Sequence, residues 1–185
     1  MPKISLLKLR KNIVIITGGS GFGKTEIIEE LKRQRRHTCP EFARDIIFSQ
    51  SKINSDILPW KNLKLFQKEI TERRLGFYRS VGEKSNFVFS DRGLPDQIAF
   101  ARYHGKTPTP ELIDLVNKCP YYKIVFITPP WKEIYVNDSI RKETFEESCI
   151  IHKYVLEVYL ELGYSILDIP FGNSLERAEF ILDNI

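Results

Sequence analysis

Gly18-Gly19-Ser20-Gly21-Phe22-Gly23-Lys24-Thr25 decides how this chain is read. The stretch satisfies G-x-x-x-x-G-K-[ST]. Before it, Asn12-Ile13-Val14-Ile15-Ile16-Thr17 is an apolar, β-branched run that predicts a buried parallel strand. After it, Ile27, Ile28 and Leu31 recur at helical spacing. Strand, glycine-rich loop and helix in that order make a P-loop. Glycines let successive backbone N–H groups curl round phosphate oxygens, and the helix start adds unpaired donors and a positive dipole end. Gly19, Ser20, Gly21, Phe22, Gly23, Lys24 and Thr25 are therefore the expected nucleotide-binding residues. Lys24 is expected on the β- and γ-phosphates, and the Thr25 hydroxyl on Mg²⁺.

Working outward, a basic run from Lys32 to His37 closes the first helix. Cations there complement the helix dipole, and no aromatic residues interleave them, so the run reads as a solvated face and no nucleic-acid partner is expected. A short strand at His37–Cys39 and a helix from about Glu41 follow. Glu41, Arg44 and Asp45 then lie beyond a strand end, where open α/β sheets bind ligands. The alternative is a helix start with acids in its first turn. Residues 49–59 are polar and read as a loop. Trp60 reads as a core residue, with stacking on a planar acceptor as the alternative. A long helix is expected from Asn62 to Val81.

Asn86-Phe87-Val88-Phe89-Ser90-Asp91 predicts a second buried strand ending in an acid, the Walker B pattern, so Asp91 is a second expected Mg²⁺ residue. Arg92 follows, facing either a carboxylate under the sheet or a substrate. Asp96 sits beside Pro95 in the first turn of the next helix and reads as complementing its dipole. A third strand is expected at Tyr122–Ile127 and a last one at Tyr164–Pro170. Between them a charged excursion from Trp131 to Arg141 has the position of a short lid, from which Lys132 or Arg141 would reach the γ-phosphate. A helix with exposed opposite charges is the alternative. His152 reads as structural. The expected whole is one α/β domain over residues 1–185: a three-layer fold with a five-stranded, mainly parallel sheet and helices on both faces.

Composition agrees with such a domain. The 185 residues are 42% hydrophobic and 28% charged, with net charge +4. That balance suits an anionic ligand without demanding nucleic acid. Cys39, Cys119 and Cys149 have no metal-ligand spacing and imply no disulfide framework, which points to a cytoplasmic setting. The run from Met1 to Lys11 is too short and too broken by Lys for a signal peptide or membrane span.

Taken together, the P-loop, Pro40-Glu41-Phe42-Ala43-Arg44, Asp91-Arg92-Gly93-Leu94-Pro95-Asp96 and Pro129-Pro130-Trp131-Lys132-Glu133-Ile134-Tyr135 resemble the AAA-type "ATPase-like" P-loop family. That family is similar to the nicotinamide-riboside kinase domain of NadR-type proteins and to nucleoside kinases. The resemblance implies a nucleoside-kinase-like fold with a short lid, and binding of ATP or GTP with Mg²⁺. It puts Glu41, Arg44 and Arg92 on the substrate side, with Asp91-Arg92 like the Asp-Arg motif of deoxynucleoside kinases. Neither an adenylyltransferase domain nor the helical lid domain of ring-forming motors is expected. The expected activity is transfer of the γ-phosphate of ATP or GTP to a hydroxyl of a small, nucleoside-like acceptor. Lys24, Glu41, Asp91 and Arg141 are its candidate catalytic residues. The alternative is a regulatory ATPase or GTPase switch that binds a protein or lipid partner.

Overall fold

In the computed structural model, residues 11–39, 41–82, 86–136 and 143–185 are described. Five strands form one parallel sheet: β1 (Ile13–Gly18), β2 (His37–Cys39), β3 (Val88–Asp91), β4 (Ile124–Thr128) and β5 (Ser165–Asp168). Their order is β2-β3-β1-β4-β5. β1 is thus central, with Ile16 beside Asp91 on β3 and Gly18 beside Thr128 on β4. Every residue of β1 is buried. That is the reason for its unbroken apolar run, since helices cover both faces of a parallel sheet.

Alternation along β1 divides the core. Val14 and Ile16 face α1 (Lys24–Arg33) and α7 (Ser174–Asp183), packing with Ile27, Leu31, Ala178 and Ile181. Ile13 and Ile15 face the opposite layer. That layer holds α3 (Leu63–Ser80), α4 (Pro95–Tyr103), α5 (Pro110–Lys118) and α6 (Phe145–Glu161). A third apolar cluster joins α2 (Phe42–Lys52) to α3 through Ile46, Ile47, Phe66 and Ile70. It raises one wall beside the carboxyl ends of the strands.

Local chemistry sets the helix ends. Asn62 caps α3, and Thr109 caps α5 just before Pro110. Reciprocal capping boxes start α6 (Thr144 with Glu147) and α7 (Asn173 with Glu176). The helix expected beyond the excursion therefore begins at Phe145. Before it, Lys132–Ile134 form a short 3-10 turn. Residues 137–142, Arg141 among them, lie outside the described residues, as does Pro40. The loop expected from residue 49 begins later, because α2 runs on to Lys52. There the Ser49 hydroxyl donates to the Ile46 carbonyl, and the Lys52 ammonium lies 3.9 Å from the Phe48 ring centroid. Among the described residues no helix is long and apolar enough to cross a membrane.

Gly18 closes β1 at φ 133°, and a Cβ there would lie 2.5 Å from Thr128 Oγ1 and 2.7 Å from the Thr128 carbonyl oxygen. Gly18→Ala is therefore expected to destabilise the fold by about 2–4 kcal/mol. Urea unfolding followed by circular dichroism measures this. A variant with the parent's midpoint contradicts the strand-end packing.

Candidate active site

The P-loop leaves β1 and turns into α1 at Lys24, with Gly21 at φ 81° and Gly23 at φ 75°. Both values are left-handed, where glycine alone carries no Cβ penalty. The Phe22 side chain points away from the loop's concave side. It is fully buried, and its ring packs against Phe145 at 5.8 Å and His152 at 6.1 Å between centroids. Phe22 thus contributes backbone to the loop while its ring anchors the loop to α6. His152, placed as a structural residue by its sequence, makes this contact, and burial lowers its pKa. Lys24 is buried and its ammonium donates to the Gly19 carbonyl at 2.6 Å. Thr25 is exposed at the helix start and lines the adjoining cavity.

That cavity holds about 970 Å³, the upper end of the range for small-molecule sites. Ser20, Gly21, Gly23, Lys24 and Thr25 line it, together with Trp131, Gly172 and Arg177. An apolar part of the wall comes from Ile47, Pro59, Trp60, Leu63 and Phe66. Glu41, Arg44, Arg92 and Gln97 line the same cavity. Trp60, read as a core residue, is instead 47% exposed and faces this space. It sits in the turn between α2 and α3, where the apolar Leu58 beside it, at 3% exposure, fills the core position.

Glu41 stands just before α2, with one carboxylate oxygen 3.6 Å from Arg44 Nε and the other 3.9 Å from Arg92 Nε. Asp91 ends β3 and is almost fully buried, and its Oδ1 accepts no hydrogen bond. Burial, then the negative charge of Glu41, push its pKa up to about 6 against the pull of Lys24, Arg92 and Arg74. The fold thus brings Lys24, Glu41, Arg44, Asp91 and Arg92 together, although 67 residues separate the first from the last but one. A buried carboxylate oxygen without a donor and a hydroxyl open to the cavity are oxygen ligands of the kind Mg²⁺ takes, one or two from the protein and the rest from water and phosphate. Thr25 and Asp91 therefore fit the metal.

Asp96 is the residue whose part the sequence concealed. It is fully buried. Its Oδ1 accepts from Thr17 Oγ1 at 2.5 Å and Arg92 Nη1 at 3.0 Å, and its Oδ2 from the Gly93 N–H at 2.8 Å and the Tyr159 hydroxyl at 2.7 Å. Burial opposes its charge, but Arg92, Arg74 and these donors hold its pKa below the usual carboxylate value. Arg92 itself has φ 68°, a left-handed conformation costing about 1 kcal/mol or more for a residue with a Cβ. Asp96 is fixed both to that residue's guanidinium and to the next N–H, so it clamps the turn. Burial works to lower the Arg92 pKa, while Asp96, Glu41 and Asp91 together raise it. The sequence left Arg92 facing either a carboxylate or a substrate, and the structure makes Asp96 that carboxylate.

Two more residues had no signal that set them apart. Gln97 is buried, donates to Gln67 Oε1 at 2.9 Å and accepts from Arg74 Nη1 at 3.1 Å. Arg177 is 2% exposed and reaches from α7 to the P-loop.

A protein-family model described as an AAA domain matches residues 13–177. The chain belongs to this family. The AAA domain here has the fold of P-loop kinases. NadR, solved in complex with NR, superposes with a TM-score of 0.67 at 19% identity, over 95% of this chain and 51% of that one. The chain thus spans about half the length of that NadR chain. Deoxyadenosine kinase from M. mycoides with bound dATP gives a TM-score of 0.61 at 16% identity, over 93% and 98% of the two chains. The same kinase with dCMP and a flexible dCDP gives 0.66 at 16%, over 93% and 97%. No curated protein matches the sequence.

The raised Asp91 pKa has a definite sign. The fold favours the neutral acid, so this contribution to stability is complete below about pH 4 and is lost as pH rises through about 6. At neutral pH the buried carboxylate is a net cost in the ligand-free protein. Asp91→Asn is expected to raise unfolding free energy at pH 8 by on the order of 2 kcal/mol, and to leave it unchanged near pH 4. Urea titrations at the two pH values, without Mg²⁺ or nucleotide, measure the difference. A variant no more stable than the parent at pH 8 contradicts it.

Proposed function

We propose that this single domain is a Mg²⁺-dependent kinase that transfers the γ-phosphate of ATP or GTP to a hydroxyl of a small, nucleoside-like acceptor. The observation that carries the reading is one continuous cavity lined by the phosphate loop, by an apolar wall bearing Trp60, and by Glu41. A nucleotide hydrolase needs only the first of these. The second gives a planar acceptor a surface to lie on.

Phosphoryl transfer is mainly positioning and charge stabilisation. The P-loop N–H groups and Lys24 would hold the triphosphate at the end of β1. Thr25 and Asp91 would hold Mg²⁺, which supplies charge neutralisation on the phosphate oxygens when bound. Glu41 is the candidate general base. It is partly exposed to the cavity and held by Arg44 and Arg92, so it can orient the acceptor hydroxyl and take its proton. Arg92, kept in place by Asp96, offers positive charge where the phosphate moves across. Trp131, packed at a tilt against Phe171 with 5.0 Å between centroids, lines the cavity with the phosphate loop and is a candidate surface for the donor nucleobase. Arg141 remains a candidate for closing over the γ-phosphate, on its sequence position alone.

Incubation with Mg²⁺, ATP or GTP and a panel of nucleosides is expected to yield a phosphorylated acceptor. Steady nucleotide hydrolysis with every acceptor left unmodified overturns the kinase in favour of a nucleotide-dependent switch. Lys24→Ala is expected to weaken triphosphate binding and abolish transfer. Glu41→Gln is expected to keep nucleotide affinity within about threefold while lowering turnover roughly 100-fold or more. Parent-like turnover in that variant removes Glu41 as the base. Trp60→Ala is expected to raise the acceptor KM and leave the nucleotide KM unchanged.

A further inference from the structure

Arg177 comes from the last helix and takes no part in the chemistry above. It is nonetheless 2% exposed and ends at the phosphate loop. Its Nη2 donates to the Phe22 carbonyl at 3.1 Å and its Nη1 to the Gly23 carbonyl at 3.3 Å. Two neighbouring donors of one planar fork thus take two consecutive carbonyls, a geometry that the single ammonium of lysine does not reproduce. The guanidinium carbon lies 5.4 Å from the Trp131 ring centroid, within cation–π range.

The consequence follows from the trans peptide unit, in which C=O and N–H point in opposite directions. The Phe22 carbonyl shares a peptide plane with the Gly23 N–H, and the Gly23 carbonyl shares one with the Lys24 N–H. A guanidinium that holds both carbonyls on its own side turns both N–H groups to the other side. Gly23 and Lys24 line the cavity, which Arg177 also borders, and in a P-loop it is the N–H side of these peptides that meets phosphate oxygens. A positive charge at the carbonyl end also polarises each peptide and strengthens its N–H as a donor to an anion. Gly23 gains a second reason to be glycine. A Cβ there would lie 2.5 Å from Arg177 Nη1, so any side chain displaces the fork. The Phe22 ring, packed on Phe145 and His152, pins the same arch from the α6 side.

We infer that Arg177 is the positioning residue of the phosphate loop, orienting the Gly23 and Lys24 amides toward the triphosphate through the carbonyls of the same peptides. The inference rests on the P-loop as a phosphate site and needs no acceptor. Its test uses inorganic tripolyphosphate, which carries neither base nor acceptor hydroxyl, and compares the parent chain with Arg177→Met, which keeps the buried stem but loses the fork. The variant is expected to bind tripolyphosphate roughly 10- to 100-fold more weakly by calorimetry, the loss typical when a group that orients a ligand-binding atom is removed. In amide NMR spectra its Gly23 and Lys24 signals are expected to lose most of the shift that tripolyphosphate causes in the parent. Arg177→Lys is expected to recover affinity only in part, since the charge returns without the fork. A purely structural Arg177 would lower the thermal midpoint and leave these affinities and shifts alone. A folded Arg177→Met protein within twofold of the parent overturns the inference. If that variant does not fold, parent-like affinity in Arg177→Lys overturns the part played by the fork. A parent chain that binds neither tripolyphosphate nor ATP overturns the phosphate loop and this inference with it. A parent that binds both while phosphorylating no nucleoside leaves the kinase as the reading at fault, and Arg177 is still decided by the comparison.

Discussion

The Asp96 carboxylate is fully buried and accepts from four protein donors, two on each oxygen. A buried charge is tolerated only when paired and fully hydrogen-bonded, and here the pairing joins three separate pieces of chain. Thr17 lies one residue before the P-loop, Arg92 and Gly93 form the turn after β3, and Tyr159 belongs to α6. The same carboxylate holds Arg92 in its left-handed backbone conformation and fixes the direction of its guanidinium. The distance between the phosphate loop and the Asp91-Arg92 turn is therefore set under the sheet ends, away from the cavity that uses it.

Around the cavity the charges are arranged in opposition. Burial and the neighbouring Glu41 raise the cost of ionising Asp91, while Lys24, Arg92 and Arg74 lower it. Without a ligand the balance leaves Asp91 with a pKa near 6 and with an oxygen that accepts no hydrogen bond. Sites of this kind are not optimised for the stability of the empty protein, because groups meant for a ligand are held ready without one. The apolar packing that pays for this strain lies beneath, in β1 and the two clusters on either side of it.

The elements were legible wherever one residue type answers one physical demand. An unbroken apolar run must be covered on both faces, which marks β1, β3 and β4. Asn62, Thr109 and Asn173 mark helix starts because their side chains take the first free N–H groups. Legibility failed where a residue answers two demands. Ser49 and Lys52 are polar enough for a loop, yet they extend α2 by bonding back to Ile46 and lying over Phe48. Trp60 is large and apolar like a core residue, but the α2–α3 turn gives the core position to Leu58. Asp96 looked like a dipole-complementing acid because its partners Thr17 and Tyr159 are 79 and 63 residues distant.

By itself the sequence determined the phosphate loop, the strand before it and the helix after it. Those features follow from local sterics and short-range periodicity, and the stretch from Asn12 to Leu31 suffices to specify them. It also supplied Glu41, Arg44, Asp91 and Arg92 as candidates, each placed at the carboxyl end of a strand. Tertiary structure alone decided that Glu41, Arg44 and Arg92 line one cavity with Asp91 buried among their charges, that Trp60 faces it, and that Arg177 grips two carbonyls of the loop. Arginine 177 has no local pattern that distinguishes it among the 28 lysines and arginines. Its position comes from packing α7 against α1, which carries a flexible, charged side chain to two carbonyls more than 150 residues away.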